Sequence, residues 1–522
     1  MNTTPYWTAG SKKFPALEKD LSVDAVVVGG GMTGITTAYQ LKRAGLSVAL
    51  VERNRCMQGE TGHTTAHLAA VTDRPFRELT RTFGADHAQA VWDAGFSAIA
   101  EINATVRRED IDCDFAWSEG YLHTSLDGDA SGRTAEVEQL RAEAACVSDA
   151  GFDATFMESI PGLERPGIRF DHQAKFQPLK YAAALLALID GHGSHVFEHS
   201  TVDEIKDGDP LTITVGAHTI STRFVIVATH VPMMGKTGLV KATLLQTDLY
   251  PYSSYAVRAK IRKHVLPDAM FWDTADPYYY LRVDAGSHND FVIFGGADHK
   301  TGQVGDPREC FERVERKLLE LVPDAEVTHR WSGQVIETRD GLPYLGEVAP
   351  RQFALTGFSG NGITFGTVGA MMARDAAVGL TNPWKDLFDI NRTRVTKGLW
   401  NYLRENKDYP YYLIRDRFAG TEGKSTRAVK RGQGKILELD GEKVAVHRDE
   451  EGAVTQLSPY CTHMNCLVNW NAAESSWDCP CHGSRFTATG KLMAGPAETP
   501  LAVHLHHSPR QSHADTKETV DG

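Results

Sequence analysis

The sequence contains no long run of apolar residues. Its longest apolar stretch, Tyr181 to Ile189, is far shorter than the roughly 18 residues of a membrane-spanning helix, so we predict no transmembrane segment. Positive charge is also scarce, since 55 Lys and Arg stand against 67 Asp and Glu, and the net charge of −12 argues against nucleic acid as a partner. No secretory leader is recognisable near the N-terminus, and we predict a cytoplasmic protein.

Cysteine is rare, with eight in 522 residues, and its distribution is uneven. Four cysteines are isolated, as is typical of reduced, buried thiols in a cytosolic protein: Cys56, Cys113, Cys146 and Cys310. The other four fall in one short window with interleaved histidines: Cys461, Cys466, Cys479 and Cys481. Such a cluster indicates a metal site.

Two short loops in this window each offer one Cys and one His. Their spacing is C-x-H, fifteen residues, then C-x2-H, which predicts the ligands Cys461, His463, Cys479 and His482. A [2Fe–2S] cluster with two thiolates on one iron and two imidazoles on the other needs this set, although zinc also accepts Cys2His2. The sequence CPCHGS and the two cysteines left over, one per loop, favour the cluster over zinc.

The segments CTHMNC and CPCHGSRF and the later pair Gly495-Pro496 resemble Rieske proteins of the cytochrome bc-complex type. The resemblance implies a disulfide between Cys466 and Cys481. Asn465 replaces the usual glycine of the first loop, and Asn is the non-glycine residue that best tolerates a left-handed backbone. Phe486 replaces the Tyr of high-potential members while Ser484 keeps its hydroxyl, so we predict a potential below the top of the roughly −150 to +300 mV Rieske range.

The N-terminal region has the pattern of a dinucleotide-binding βαβ unit. A strand over Asp24 to Val28 is followed by G-x-G-x-x-G, made by Gly29, Gly31 and Gly34, and by a helix that ends near Arg43. Glu52 ends a second strand, where a carboxylate would accept the adenosine ribose hydroxyls. The pattern predicts a dinucleotide and does not distinguish NAD from FAD.

Four segments resemble the D-amino-acid oxidase/glycine oxidase superfamily of FAD enzymes, in particular a bacterial subgroup with a C-terminal Rieske domain: Val23–Glu52, Gly59–Ala70, Val225–Val231 and Arg330–Gly366. The resemblance implies FAD as the cofactor. It also implies that FAD contacts Thr61, His63, Thr64, Val202, Gly360, Asn361, Gly362 and Ile363. His63 resembles a position where some relatives attach FAD covalently, and a non-covalent contact is the alternative.

The predicted fold class is α/β (α+β): an FAD-binding Rossmann-like domain with an antiparallel-sheet substrate domain, followed by an all-β Rieske domain. Residues 1–405 form the oxidoreductase domain, with an FAD-binding part at about 20–80, 140–235 and 330–385 and a substrate part at about 81–139 and 236–329. A linker at 406–434, the Rieske domain at 435–506 and a disordered tail at 507–522 follow.

For the substrate we single out Tyr280 and Arg282, because a Tyr/Arg pair often holds a carboxylate in amine and amino-acid oxidases; packing roles are the alternative. His230, Asp298 and His299 are further candidates. The favoured function is oxidation of an amine or amino acid, with electrons passing from FADH2 to the cluster and then to an unidentified acceptor. An O2-using oxidase with a structural or redox-sensing cluster is the alternative. An NAD(P)H-fed reductase would need a second nucleotide fingerprint, which we do not find, and a Rieske oxygenase would need a further iron domain.

Overall fold

The computed structural model describes residues 3–7, 12–127, 133–232, 248–392, 421–463 and 465–504. Most of the predicted linker, residues 406–420, and the whole predicted tail, residues 507–522, lie outside these ranges.

The described residues form helices of eight to 24 residues and mostly short strands. The helices are α1 (Met32–Arg43), α2 (Phe76–Phe83), α3 (Ala85–Arg108), α4 (Arg133–Asp149), α5 (Pro178–Ile189), α6 (Pro307–Leu321) and α7 (Gly362–Ala377). The strands are β1 (Leu21–Val28), β2 (Val48–Val51), β3 (His67–Leu68), β4 (Ala116–His123), β5 (Ala154–Met157), β6 (Gly167–Lys175), β7 (His195–Phe197), β8 (Glu204–Lys206), β9 (Leu211–Val215), β10 (His218–Val227), β11 (Leu249–Ile261), β12 (Met270–Asp273), β13 (Tyr280–Asp284), β14 (Asp290–Lys300), β15 (Glu326–Thr338), β16 (Tyr344–Ala349), β17 (Gln352–Thr356), β18 (Gln433–Leu439), β19 (Glu442–Arg448), β20 (Val454–Leu457), β21 (Asn469–Asn471), β22 (Ser476–Asp478), β23 (Arg485–Thr487) and β24 (Leu492–Ala494). No helix among the described residues is long and apolar enough to cross a membrane.

The first sheet has eight strands in the order β16-β17-β10-β1-β2-β7, with β9 beside β10 and β8 beside β9. Its centre is parallel, because β1 pairs with β2 and β10 in the same direction. β1 and β2 are nearly continuous apolar runs, as expected of parallel strands that are covered on both faces. The predicted βαβ opening is therefore present, and the glycine-rich turn follows β1 directly.

The second sheet has nine strands in the order β15-β11-β14-β13-β12-β4-β6-β3, with β5 beside β6. Most of its pairs are antiparallel, as predicted for the substrate part, and the parallel pair is β12 with β4. β5 and β6 fall in the segment predicted for the FAD-binding part, yet β6 pairs with β4. β15 likewise pairs with β11, so the second sheet takes more of the chain than residues 81–139 and 236–329.

The main hydrophobic core lies between the first sheet and the helices that cover it. α1 and α7 pack closely, because a Cβ on Gly366 of α7 would overlap the side chain of Thr33 in α1. The two helices therefore begin side by side near the ends of the parallel strands, where ligands bind in open α/β sheets.

The C-terminal part is all-β, as predicted. β18, β19 and β20 form one antiparallel sheet, and β21 to β24 form another. A compact core that includes Trp477 and Phe486, both fully buried, fills the space between the strands and the two Cys/His loops. This core holds the loops in place.

Candidate active site and cofactor sites

The turn between β1 and α1 has no room for side chains. Gly29 has a φ of 108°, and a Cβ at this position would lie 2.6 Å from the carbonyl oxygen of Ala228. A Cβ on Gly34 would overlap the carbonyl oxygen of Gly29. The backbone at the start of α1 is therefore open to a ligand, and its N–H groups supply the partial positive charge that suits a pyrophosphate.

Thr61 and Glu52 lie on either side of this turn. Thr61 Oγ1 accepts a hydrogen bond of 2.8 Å from the backbone N–H of Met32, and it lies 3.3 Å from the position of a Cβ on Gly31. The Glu52 carboxylate accepts hydrogen bonds of 2.7 Å from the backbone N–H groups of Gly30 and Asn54. These bonds fix the carboxylate at the end of β2, where the predicted ribose contact requires it.

Val202 lies close to the same edge of the first sheet. It is 4% exposed and belongs to one apolar cluster with Val28 and Val51, the last residues of β1 and β2. Its predicted contact with the adenine therefore fits the position of its backbone.

The segment Gly59–Ala66 runs beside β15. Trp331 Nε1 donates a 2.8 Å hydrogen bond to the carbonyl oxygen of His63, and the N–H of Gln334 donates a 2.6 Å hydrogen bond to Glu60 Oε2. The hydroxyl of Thr64 accepts a 3.0 Å hydrogen bond from the N–H of Ala66. These bonds hold the predicted flavin contacts His63 and Thr64 between the first and second sheets.

The second helix start near this space belongs to α7. Asn361 precedes the helix without capping it through its side chain, while Gly362 and Ile363 form its first turn. Gly360 has a φ of 81°, and a Cβ there would lie 2.8 Å from Asp73 Oδ2. The N–H groups of this first turn are therefore available to stabilise negative charge on a bound ring.

These features fit FAD. The turn that excludes side chains suits the pyrophosphate, the oriented Glu52 carboxylate suits the ribose, and a second helix start faces the position of the ring. We therefore keep the predicted contacts as a proposal for the FAD site.

The two Cys/His loops converge at one end of the C-terminal module. The rings of His463 and His482 lie 4.9 Å apart between centroids, and the thiols of Cys461 and Cys479 are within hydrogen-bonding reach of each other. Cys461 and Cys479 are buried, and so are the Nδ1 atoms of both histidines; His463 Nδ1 has no hydrogen-bond partner. A buried nitrogen without a partner is costly, which a metal ligand bond would remedy, so the four side chains fit a [2Fe–2S] cluster.

The remaining two cysteines of the window form a disulfide. Cys466 is bonded to Cys481, which joins the two loops as the resemblance implied. Cys466, Cys479 and Cys481 also lie close enough to share a metal ion, but two of these sulfur atoms are occupied by the disulfide and cannot act as thiolates.

The structure shows how the residues that depart from the usual Rieske sequence are accommodated in and near the two loops. Asn465 has a φ of 56°, a left-handed conformation that Asn tolerates better than other non-glycine residues. Ser484 Oγ accepts a hydrogen bond of 2.9 Å from the N–H of Ala497, which leaves its own proton available to a sulfur of the cluster. Phe486 is fully buried and offers no hydroxyl, in keeping with the predicted moderate potential.

A group of polar side chains lies beside Gly360, and most of its members belong to strands of the second sheet. Tyr280 Oη lies 2.9 Å from Ser254 Oγ, and Tyr278 Oη donates a hydrogen bond of 3.2 Å to Asp73 Oδ2. His67 meets Tyr280 edge to face, with ring centroids 5.8 Å apart. We call Asp73, Ser254, Tyr278, Tyr280, Asp298 and His67 the acid cluster.

The acid cluster holds two carboxyls whose pKa values are raised. Burial raises the pKa of Asp73 to about 7, while the hydrogen bond from Tyr278 lowers it and the charge of Asp298 raises it. Burial also raises the pKa of Asp298 to about 6 and lowers the pKa of His67 to about 4. Asp73 nevertheless keeps an exposed surface that no protein atom covers. We call the space beside this exposed carboxyl surface the cavity.

The two carboxyls of the acid cluster are close to few cations. Among the described groups that shift the pKa of Asp73 none is cationic, and for Asp298 the cation is Arg313, whose Nη2 lies 3.4 Å from the carbonyl oxygen of Ala297. The cations Arg282 and Lys175 act instead on His67.

The position of Arg282 does not match its predicted role. Arg282 is 3% exposed, its Nη1 donates to the carbonyl oxygens of Ala66 and Phe176 at 2.8 and 2.9 Å, and its Nε donates to Asp284 at 3.0 Å. A guanidinium bound in this way fixes the segment after Thr64 and is not available to a substrate carboxylate. Tyr280, in contrast, faces the cavity.

The other two histidine candidates lie outside the acid cluster. His299 Nε2 lies 2.9 Å from Tyr255 Oη, and its Nδ1 lies 2.8 Å from the carbonyl oxygen of Lys300, so it packs on the opposite face of β14. His230 lies beyond β10, and its buried Nε2 has no aligned hydrogen bond. Burial lowers the pKa of His230, and this effect is larger than the opposite effect of an interaction with Gln334.

The C-terminal module sits on the second sheet through its second Cys/His loop. Three side-chain amides donate to backbone carbonyl oxygens across this contact: Gln334 to Gly483 at 2.8 Å, Gln303 to Pro480 at 3.1 Å and Asn469 to Gly302 at 2.9 Å. Thus the second Cys/His loop, which we call the cluster loop, lies next to β15. The same strand holds the segment Gly59–Ala66.

Comparison with known proteins agrees with this arrangement. Residues 24–376 match the model of the FAD dependent oxidoreductase family, and residues 423–505 match the Rieske [2Fe-2S] domain. The chain belongs to the FAD dependent oxidoreductase family and carries a C-terminal Rieske domain. Its cofactors are accordingly FAD and a [2Fe–2S] cluster.

A relative of the same overall construction is the Rieske 2Fe-2S iron-sulfur protein YhfW of Bacillus subtilis (strain 168), which is 31% identical over 504 residues, 95% of this chain and 96% of the relative. The gamma-glutamylputrescine oxidoreductase of Escherichia coli (strain K12) is 24% identical over 70% of this chain and 86% of its own length. The crystal structure of glycine oxidase from Geobacillus kaustophilus matches with a TM-score of 0.58 at 18% identity, over 72% of this chain and 99% of that chain. This last likeness confirms the predicted fold of the oxidoreductase domain.

Four members of the acid cluster had not been predicted as substrate residues: Asp73, Ser254, Tyr278 and His67. No local motif marks them, since they come from the Gly59–Ala70 region and its continuation, from β11 and from the loop before β13. An acidic residue shortly after a cofactor-binding segment is too common to indicate a site by itself.

Proposed function

We propose that the protein is a dehydrogenase that oxidises an amine or amino acid and passes the electrons through the Rieske cluster to an external one-electron acceptor. The observation that carries this proposal is the double role of the second sheet. It presents the acid cluster to the cavity beside the proposed FAD site, and it receives the cluster loop through Gln334. Substrate, flavin and cluster would therefore follow one another over a short path.

The acid cluster is suited to a substrate that carries an ammonium group. Such a substrate must lose a proton from nitrogen before its C–H bond can be oxidised. Asp73, with a pKa raised to about 7, is placed to attract the cation and to accept that proton. When bound, FAD takes up the two electrons and hydrogen from the carbon next to nitrogen, and the [2Fe–2S] cluster transfers electrons singly. The resulting imine hydrolyses in water.

Residues of this chain hold the substrate in place. Tyr280 and Tyr278 have pKa values raised above that of free tyrosine, chiefly by burial, so both remain neutral hydrogen-bond donors. Neutral His67 supports Tyr280 from the side, and Arg282 fixes the segment that leads to it. Because Arg282 is bound to the protein, we favour an amine whose recognition does not depend on a carboxylate clamp. The cytoplasmic location stays a prediction.

An anaerobic substrate screen tests the proposal. Purified protein is mixed with amines and amino acids, including gamma-glutamylputrescine and glycine, while flavin absorbance and the Rieske EPR signal are recorded together. We expect a substrate that bleaches the flavin to produce the EPR signal of the reduced cluster as well. A flavin that bleaches while the cluster stays oxidised, with O2 restoring the flavin, would instead support the oxidase alternative.

A further inference from the structure

We propose that the Rieske module is held in one fixed position on the second sheet, and we call this contact its seat. Gln334 is the positioning residue: it holds the cluster loop, Cys479–Gly483, against the segment Gly59–Ala66, which we call the flavin segment. This inference rests on the proposed function, because it concerns the electron step between flavin and cluster. The contact that carries it lies between Cys479–Gly483 and the second sheet.

Gln334 connects the two cofactor loops through a single residue. Its backbone N–H donates to Glu60 Oε2 in the flavin segment at 2.6 Å, and its side-chain Nε2 donates to the carbonyl oxygen of Gly483 at 2.8 Å. The residue is 4% exposed, and Nε2 lies 3.2 Å from Thr301 Oγ1, which further limits the rotation of the side chain. The separation of the two loops is thereby limited to the length of one side chain.

Glycines allow the two surfaces to meet without a gap. A Cβ on Gly302 would lie 2.8 Å from the backbone carbon of Cys479 and from the nitrogen of Pro480. A Cβ on Gly483 would lie 2.7 Å from Pro251 Cβ. At these two positions backbone therefore packs directly on backbone or side chain, with no room for an added methyl group.

Neutral hydrogen bonds hold the centre of this seat. Three cross-contact hydrogen bonds are donated by side-chain amides, those of Gln334, Gln303 and Asn469, and all three are accepted by backbone carbonyls. A fourth, from the guanidinium of Arg53 to the carbonyl oxygen of Met493, is longer, at 3.5 Å, and exposed. A transient contact that depends on charged pairs weakens as salt screens them, whereas short neutral hydrogen bonds in a closed contact do not.

The one-electron capacity of a [2Fe–2S] cluster determines the order of electron flow. Each amine oxidised releases two electrons, which cross to the cluster one at a time. The first must pass to the external one-electron acceptor before the second can cross. Because Gly302 covers the backbone of Cys479 and Pro480, we expect the acceptor to approach another side of the module.

The first test is the substitution Gly302→Ala, which places a methyl group in the contact. Gly302 has a φ of 79°, so Gly193→Ala is the matched control: Gly193 has a φ of 82°, and a Cβ there would meet nothing within 4 Å. We expect Gly302→Ala to slow cluster reduction by pre-reduced flavin about tenfold in anaerobic stopped flow, equivalent to about 1.4 kcal/mol. Hydrogen exchange in residues 479–483 should rise, while flavin reduction by substrate and the control stay near wild type.

The second test is Gln334→Leu, with Gln352→Leu as its control. Both glutamines are buried and donate through Nε2, but Gln352, in β17 of the first sheet, bonds to Asp207, which follows β8. We expect both variants to lose thermal stability, and only Gln334→Leu to slow cluster reduction relative to flavin reduction. In the wild-type protein, the rate of cluster reduction should change less than about twofold between 50 mM and 1 M salt.

The outcomes separate the two proposals. If substrate never reduces the wild-type cluster, the proposed function fails. If it does, but Gly302→Ala and Gln334→Leu transfer electrons as fast as wild type, the seat does not control transfer and the inference is wrong. A steep loss of rate with salt in the wild-type protein would also overturn it, even if both variants failed to fold.

Discussion

The raised pKa of Asp73 leads to a specific pH dependence. The carboxyl is the proposed proton acceptor and acts only when ionised, so flavin reduction should increase as pH rises through its pKa of about 7. The ionised fraction is about 9% at pH 6 and about 91% at pH 8 for such a group, so we expect the rate to rise about tenfold over this range. The ammonium group of the unbound substrate loses its proton near pH 10, which adds a separate limb to the pH profile of the rate at higher pH.

Anaerobic stopped-flow measurement of flavin reduction from pH 5.5 to 9 gives the test. Asp73→Asn should remove the limb near pH 7 and lower the rate by about 10²-fold or more. Asp298→Asn should move the midpoint down, because the charge of Asp298 raises the pKa of Asp73. Asp86→Asn, an exposed residue at the start of α3, is the control. A limb that persists in Asp73→Asn would refute the assignment of the proton acceptor.

Three further variants test the cofactor sites and the disulfide. Cys479→Ser should abolish the Rieske EPR signal and keep the flavin spectrum; an unchanged signal would exclude Cys479 as a ligand. Gly34→Val should prevent FAD binding, measured by flavin content after purification, because its side chain would overlap the backbone of Gly29; full flavin content would contradict this. Cys466→Ser opens a disulfide whose cysteines lie 15 positions apart, and urea unfolding should show a loss of about 3 kcal/mol, whereas an unchanged midpoint would mean that the bond adds no stability.

The two cofactor sites could be predicted from the sequence because the residues that form each site lie close together along the chain. The glycine-rich turn and Glu52 lie within about 25 residues of sequence, and Gly29 and Gly34 are required by contacts with the end of the adjacent strand and within the turn itself. The two Cys/His loops are likewise short, and the left-handed backbone of Asn465 explains why Asn can replace the usual glycine there.

The substrate cavity could not be predicted in the same way, because its members meet only through the pairing of distant strands. Asp73 and Tyr278, whose side chains bond, are 205 positions apart. Arg282 looked like a carboxylate clamp because its partners, the carbonyl oxygens of Ala66 and Phe176, are 216 and 106 positions away and invisible in a motif. The same holds for Gln334 and Gly483, which are 149 positions apart.

The negative lining of the cavity also bears on how turnover ends. Oxidation and hydrolysis separate the charged nitrogen from the rest of the substrate. The nitrogen leaves as ammonia or an amine, and the carbonyl compound no longer carries the charge that Asp73 and Asp298 attract. The cavity that retains the substrate would thus hold the carbonyl product only weakly. We expect products to leave readily and to be poor inhibitors, while unreactive cationic analogues accumulate in the cavity and compete effectively.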